Sequence, residues 1–122
     1  MERVREPDHP HTLTIRHNLA WWRGKAGDPA GAATAYAGLL ADRIRVLGPD
    51  HPDTLSTRDN LAQSQGEAGD AAGASATLAG LLADRTRVLG ADHPDTLTTR
   101  KNLARWRTEA GSITAAQQST DP

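Results

Sequence analysis

Cysteine is missing from all 122 residues, so neither disulfides nor thiolate metal sites hold this chain together, an absence that suits a cytoplasmic setting. An excess of either charge is missing too: 14 basic residues face 15 acidic ones, for a net charge of −1. No overall field therefore draws the chain to nucleic acid or to an anionic membrane. No apolar run approaches the roughly 20 residues that span a bilayer. The charged start, Met1-Glu2-Arg3, leads into no signal-peptide core. Lysine is scarce, 2 against 12 arginines, and alanine is abundant, a balance expected of a GC-rich bacterial genome. The β-branched alternation of a strand occurs nowhere, which leaves an all-α chain. No nucleophile elbow and no phosphate-binding glycine loop are present. The expectation is a non-enzyme with no catalytic residues and no cofactor, whose glycines stop helices or, like Gly38 and Gly80, allow close packing.

What is present is repetition. Asp8-His9-Pro10 returns as Asp50-His51-Pro52 and as Asp92-His93-Pro94, and residues 8–49 and 50–91 agree at 27 of 42 positions without a gap. A third copy, 92–122, stops after 31 residues. Fixed periods of this size build stacked supersecondary units, each unable to bury its apolar face alone. The expected organisation is one repeat domain over 1–122. It comprises residues 1–7 as the remnant of a preceding second helix, repeats at 8–49 and 50–91, and a truncated repeat or C-terminal cap at 92–122. Arg3-Val4 supports the first assignment, being in phase with Arg45-Val46 and Arg87-Val88.

Each copy predicts two helices. Helix A runs from Pro10 to Ala26: proline suits the first turn, where its missing N–H is no loss, and Asp8-His9 offers polar capping. Leu13, Leu19, Ala20 and Ala26 keep helical spacing. Gly27 provides a left-handed cap and Asp28 the next N-cap, giving a tight turn repeated at Ala68-Gly69-Asp70 and, with serine capping, at Ala110-Gly111-Ser112. Helix B runs from about Ala30 to Leu47, with Ala32, Tyr36, Leu39, Leu40 and Leu47 as its buried stripe and Arg43 and Arg45 near its C-terminus, complementing the dipole. The second copy repeats the stripe with Ala74, Leu78, Leu81, Leu82 and Leu89. The third copy's helix B is expected to be short and polar, Ser112 to Ser119, with only Ile113, Ala115 and Ala116 to bury.

The Leu-Gly-x-Asp-His-Pro-Asp-Thr-Leu junctions (47–55 and 89–97), the three Asn-Leu-Ala cores (18–20, 60–62, 102–104) and the Gly-Asp turns resemble the tetratricopeptide repeat (TPR), in the 42-residue class typified by kinesin light chains and by tandem repeats of bacterial proteins. The resemblance implies a right-handed α-solenoid of stacked antiparallel helix pairs, with two full repeats and a truncated third. It also implies a protein or peptide ligand held on the concave helix-A face.

Comparing copies separates scaffold from variation. His17, Asp59 and Lys101 are equivalent and differ, as do Trp21, Gln63 and Arg105, and Lys25, Glu67 and Glu109. Within one helix these stand at i, i+4 and i+8, one stripe, and in the resembled family that stripe lines the inner groove; drift on a solvated face is the alternative. Asn18, Asn60 and Asn102 are sharper candidates, because asparagine is a mediocre helix former. In the resembled family such asparagines reach the backbone of an extended peptide, and a carboxamide both donates and accepts. Helices about 9–10 Å apart would put the outer two roughly 20 Å apart, a span of ~6 extended residues. An interhelix bond bracing the stack is the competing role.

Arg16, Arg58 and Arg100 are identical in every copy and fit a scaffold role, pairing with acids such as Asp42 and Asp84. The histidines repeat with layers about 10 Å apart, too far to share a zinc whose ligands sit ~2 Å away, so capping is expected and no metal. Trp22 and Trp106 are expected to pack and Trp21 to meet ligand. A second possibility is a homo-oligomer formed through exposed terminal repeat faces: the ends are expected either to be cut from a longer array, whose exposed apolar edges favour self-association, or to have decayed into caps.

Overall fold

Proline at the first helical turn and histidine just before it start each helix A the same way. The Nδ1 atoms of His9, His51 and His93 accept hydrogen bonds from the backbone N–H of His11, Asp53 and Asp95, each at 3.0 Å. These caps satisfy donors that the helix leaves unpaired. The computed structural model describes residues 9–119, which form α1 (Pro10–Lys25), α2 (Pro29–Leu47), α3 (Pro52–Glu67), α4 (Ala71–Leu89) and α5 (Pro94–Ser119), with no strand among them. The first two pairs repeat at an offset of 42 residues, and each helix packs on the next in sequence. The architecture is an all-α solenoid of stacked antiparallel helix pairs.

The αα-hairpin turns form as their sequences dictate. Gly27 and Gly69 adopt φ of +93° and +96°, a conformation costly for any residue with a Cβ. Asp28 and Asp70 then cap α2 and α4 by accepting from the N–H of Gly31 (3.0 Å) and Gly73 (2.9 Å). The third turn, expected at Ala110-Gly111-Ser112, does not form: α5 runs straight through it to Ser119. Ser112 replaces the capping aspartate, and the segment after it offers only three apolar residues in place of the stripe of α2 or α4. Folding back would bury little, whereas continuing keeps the i→i−4 backbone bonds. A short separate helix B from Ser112 is therefore corrected to a continuation of α5. The expected remnant at residues 1–7 lies outside the described residues, as do the side chains of Ile113, Ala115 and Ala116.

Two core clusters follow the repeats. Leu13, Ala20, Ala32, Tyr36 and Leu39 fill the first, with Leu61 of α3 packed against it. Leu55, Ala62, Ala71, Ala74, Leu78, Leu81, Leu103 and Trp106 fill the second. Several expected core positions lie elsewhere. Leu19 is 60% exposed and Trp22 63%, although their counterparts Leu103 and Trp106 are buried. In α5 those residues lie against the preceding helix pair, and no described helix precedes α1. Leu47 is half-buried, Leu89 is exposed, and Ala26 is an exposed C-cap.

Candidate functional site

The seams between repeats rest on residues that sequence reading assigned elsewhere. Arg43, expected to serve the dipole of its helix C-terminus, is buried, as is its counterpart Arg85, each only 6% exposed. Each guanidinium crosses to the next helix A and donates to a fully buried threonine, Arg43 to Thr57 and Arg85 to Thr99, both at 2.8 Å. Thr54 and Thr96 return the contact by donating to the backbone carbonyls of Arg43 and Arg85. A buried cation needs such partners, and burial pushes the Arg43 guanidinium below its ordinary pKa. The sequence marks the pair only weakly, because Arg43 and Arg85 recur in phase with Thr57 and Thr99 as most positions of the repeat do. The ladder of Arg16 and Arg58 pairs as expected, with Asp42 at 2.6 Å and Asp84 at 2.5 Å. These bonds hold the carboxyls of Asp42 and Asp84 below the usual range.

With α3 fixed on the first pair, a groove of about 290 Å³ opens between α1 and α3, its floor formed by Tyr36 of α2. Trp21 and Lys25 come from α1, and Asn60, Gln63 and Glu67 from α3; Ala20, Gly24 and Ser64 complete the lining. The second layer explains why space exists here. Trp106 of α5, 5% exposed, lies flat over Gly66 of α3, where any added Cβ would overlap its six-membered ring. Shifted by one repeat, Trp106 becomes Ser64 and Gly66 becomes Gly24. Serine leaves empty the seat that an indole fills one layer on, and a Cβ at Gly24 would meet only the methyl of Ala32, at 3.6 Å. The recess is thus the size of a planar side chain. Its rim carries both charges: the Lys25 ammonium lies 5.1 Å from the Trp21 ring centre, and Gln63 donates to Glu67 at 2.8 Å.

The expected stripe is split. Trp21, Lys25, Gln63 and Glu67 meet Asn60 in the groove, whereas His17 and Asp59 turn into the helix packing. His17 stacks edge-on against Tyr36 with ring centres 5.6 Å apart. Burial, reinforced by the nearby Arg43 and opposed by Asp53, holds its imidazole below the ordinary pKa. Asp59 lies 3.4 Å from the Arg85 guanidinium. Both stand beside equivalent buried arginines rather than in the groove, which sets the first position of the i, i+4, i+8 row apart from the other two. Lys101 sits on the open face of α5 beside Leu97 and Ala104. Arg105 covers the Trp106 ring at 4.4 Å, and Glu109 is exposed. Asn18 is exposed and Asn102 half-buried, and neither lines the groove. Trp22, expected to pack, is largely exposed and stands edge-on to Trp21, ring centres 4.8 Å apart.

Among the described residues no group of three or more His, Cys, Asp or Glu side chains is arranged to hold a metal ion. No described helix is long and apolar enough to cross a membrane.

Comparison with known proteins extends the geometric picture. The family described as "Tetratricopeptide repeat" matches residues 12–53 and 54–95, two consecutive windows of the same period. Two crystal structures are similar: the nearly identical TPR-like repeats of a Podosopora anserina protein designated a kinesin light chain, and a single-substitution form of the same repeats. Each has a TM-score of 0.78 and 26% sequence identity over 93% of this chain. The chain spans about half the length of these structures, 53% and 54%. No curated protein matches the sequence.

Proposed function

The chain belongs to the tetratricopeptide repeat family, whose repeats mediate protein–protein interaction, and from that premise we propose that it is a peptide-binding module using the groove between α1 and α3. The observation that carries this is the recess at Gly24 and Ser64, rimmed by Trp21, Lys25, Asn60, Gln63 and Glu67. An extended segment lies across the two helices, one planar side chain enters the vacated seat, and Asn60 hydrogen-bonds the backbone beside it. Among the described residues the carboxamides of Asn18, Asn60 and Asn102 make no side-chain hydrogen bond, which favours ligand contact over bracing. A groove this small supports micromolar affinity, with the aromatic contact as its main anchor. Arrays of this fold are typically non-catalytic scaffolds, and no catalytic role is proposed.

Selection of displayed peptides against the intact chain supplies the probe. Ser64→Trp fills the recess from within, and the selected peptides are expected to lose at least about tenfold in affinity, with Asn60→Ala costing several-fold. Peptides that bind the Ser64→Trp form as tightly as the original would show that the recess is not the site.

A second role, self-association, is favoured by Ile15, Leu19 and Trp22, which form an exposed apolar row on α1. Sedimentation over a concentration series tests it, and a monomer at every concentration would eliminate it.

A further inference from the structure

On α1 and α3 one face is covered by the second helix of the same repeat. Leu13 and Ala20 pack under α2, Leu55 and Ala62 under α4, and all four are almost completely buried. Arg16 and Arg58 close those interfaces on Asp42 and Asp84. The same three residues recur on α5 as Leu97, Arg100 and Ala104. There all three are exposed, Leu97 by 42%, and Arg100 has no acidic partner among the described residues. Among the described residues the chain does not fold back over them, because α5 continues past Gly111. Leu97, Arg100 and Ala104 thus keep the identities of their covered counterparts, although they are exposed on α5.

We infer that this face of α5 is a docking surface for an amphipathic helix supplied by another polypeptide, one that lays a small-and-apolar stripe on Leu97 and Ala104 and presents an aspartate to Arg100. The two covered interfaces specify the occupant. In α2 the contacting residues are Ala32, Tyr36, Leu39 and Asp42, and in α4 they are Ala74, Leu78, Leu81 and Asp84. Both follow Ala-x3-(Tyr/Leu)-x2-Leu-x2-Asp. A helix with that spacing continues the array by one layer, and the arginine–aspartate pair fixes its register as it does inside the chain. This surface lies on α5, away from the groove between α1 and α3, so it stands or falls independently of the peptide site.

The chain has no cysteine, so Ala104→Cys places a single thiol on the face. Its alkylation rate in the full-length protein reports whether the face is open, and a synthetic peptide spanning residues 70–90, the α4 sequence with its caps, serves as probe. The thiol is expected to react as an exposed one in the free protein and to be protected as peptide is added. Arg100→Asp should weaken that protection about tenfold, and a peptide carrying Asp84→Arg should restore it on the Arg100→Asp background. Four results would each overturn the proposal: a thiol already protected in dilute free protein, meaning the chain's own C-terminus covers the face; protection that grows with protein concentration alone, meaning a second copy does; no protection at about 1 mM peptide; or a charge swap that fails to restore binding.

Discussion

A single glycine can have opposite effects in two layers of the same fold. At Gly66 a Cβ would overlap the Trp106 ring, which is itself packed in the second core, so neither partner has room to give. Gly66→Ala is expected to destabilise by about 1–3 kcal/mol, the usual cost of overpacking. Gly24 holds the equivalent place over an empty seat, and its Cβ would make an ordinary contact with Ala32. There the helix propensity of alanine prevails, and Gly24→Ala should stabilise by about 0.5–1 kcal/mol. Urea unfolding of the two variants decides the matter; equal shifts would mean the layers do not differ as described. His17 gives a second test at this scale. Its folded pKa is depressed by burial, so below its ordinary value of about 6.5 the unfolded chain binds more protons. The contribution of neutral His17 is complete above that value and is lost as pH falls through the folded one. Asp28, Asp42, Asp50 and Asp84, held low by hydrogen bonds, lose theirs in a separate window below about 4. Replacing His17 by leucine should flatten the first slope of the thermal midpoint against pH and leave the second.

Between elements, the seam of buried arginine and threonine does what larger cores achieve with apolar contact. Arg43→Ala removes a charged hydrogen bond and a long packed stem, and should cost about 2–3 kcal/mol in chemical denaturation. Changing both partners, Arg43→Met with Thr57→Ile, leaves no buried polar group unpaired and should recover most of that loss. A double variant no better than the single would show that the guanidinium acts through other contacts. This seam also marks the limit of what the sequence makes legible. Caps, the first two turn glycines, the lengths of α1 to α4 and the Arg16–Asp42 ladder follow from local chemistry, because each is decided within a turn or by an exact repeat. Arg43 looked like an ordinary C-terminal cation, since nothing within its own helix reveals the threonine 14 residues on that receives it. The third turn misled for the same reason: Gly111 permits a turn, but only the missing apolar stripe beyond it decides against one. Of the residues lining the groove, Trp21, Lys25, Gln63 and Glu67 stand out in the sequence as varying positions and Asn60 as a repeated one. The recess itself does not, because it is defined by a tryptophan one layer away.

Across the whole molecule, stability should be graded from one end. Arrays gain most from neighbour contacts, so a unit with fewer packed neighbours opens more readily. Among the described residues α1 has packed neighbours on one side only and leaves Ile15, Leu19 and Trp22 exposed, whereas α3 and α4 are enclosed on both sides. Its core cluster is also the smaller, five buried residues against eight. Amide hydrogen exchange should therefore be fastest in α1 among α1 to α4 and slowest in α3 and α4. The proposed peptide groove straddles this boundary, with Trp21 and Lys25 on the weak helix and Asn60, Gln63 and Glu67 on the strong one. A ligand that needs both helices in place binds only the closed form, and so slows local opening by the factor 1 + [L]/Kd. At a hundred times Kd, exchange in α1 should fall about a hundredfold while α5 is nearly unaffected. Uniform protection along the chain would mean that the ligand stabilises the array globally; no protection in α1 would place its contacts off that helix.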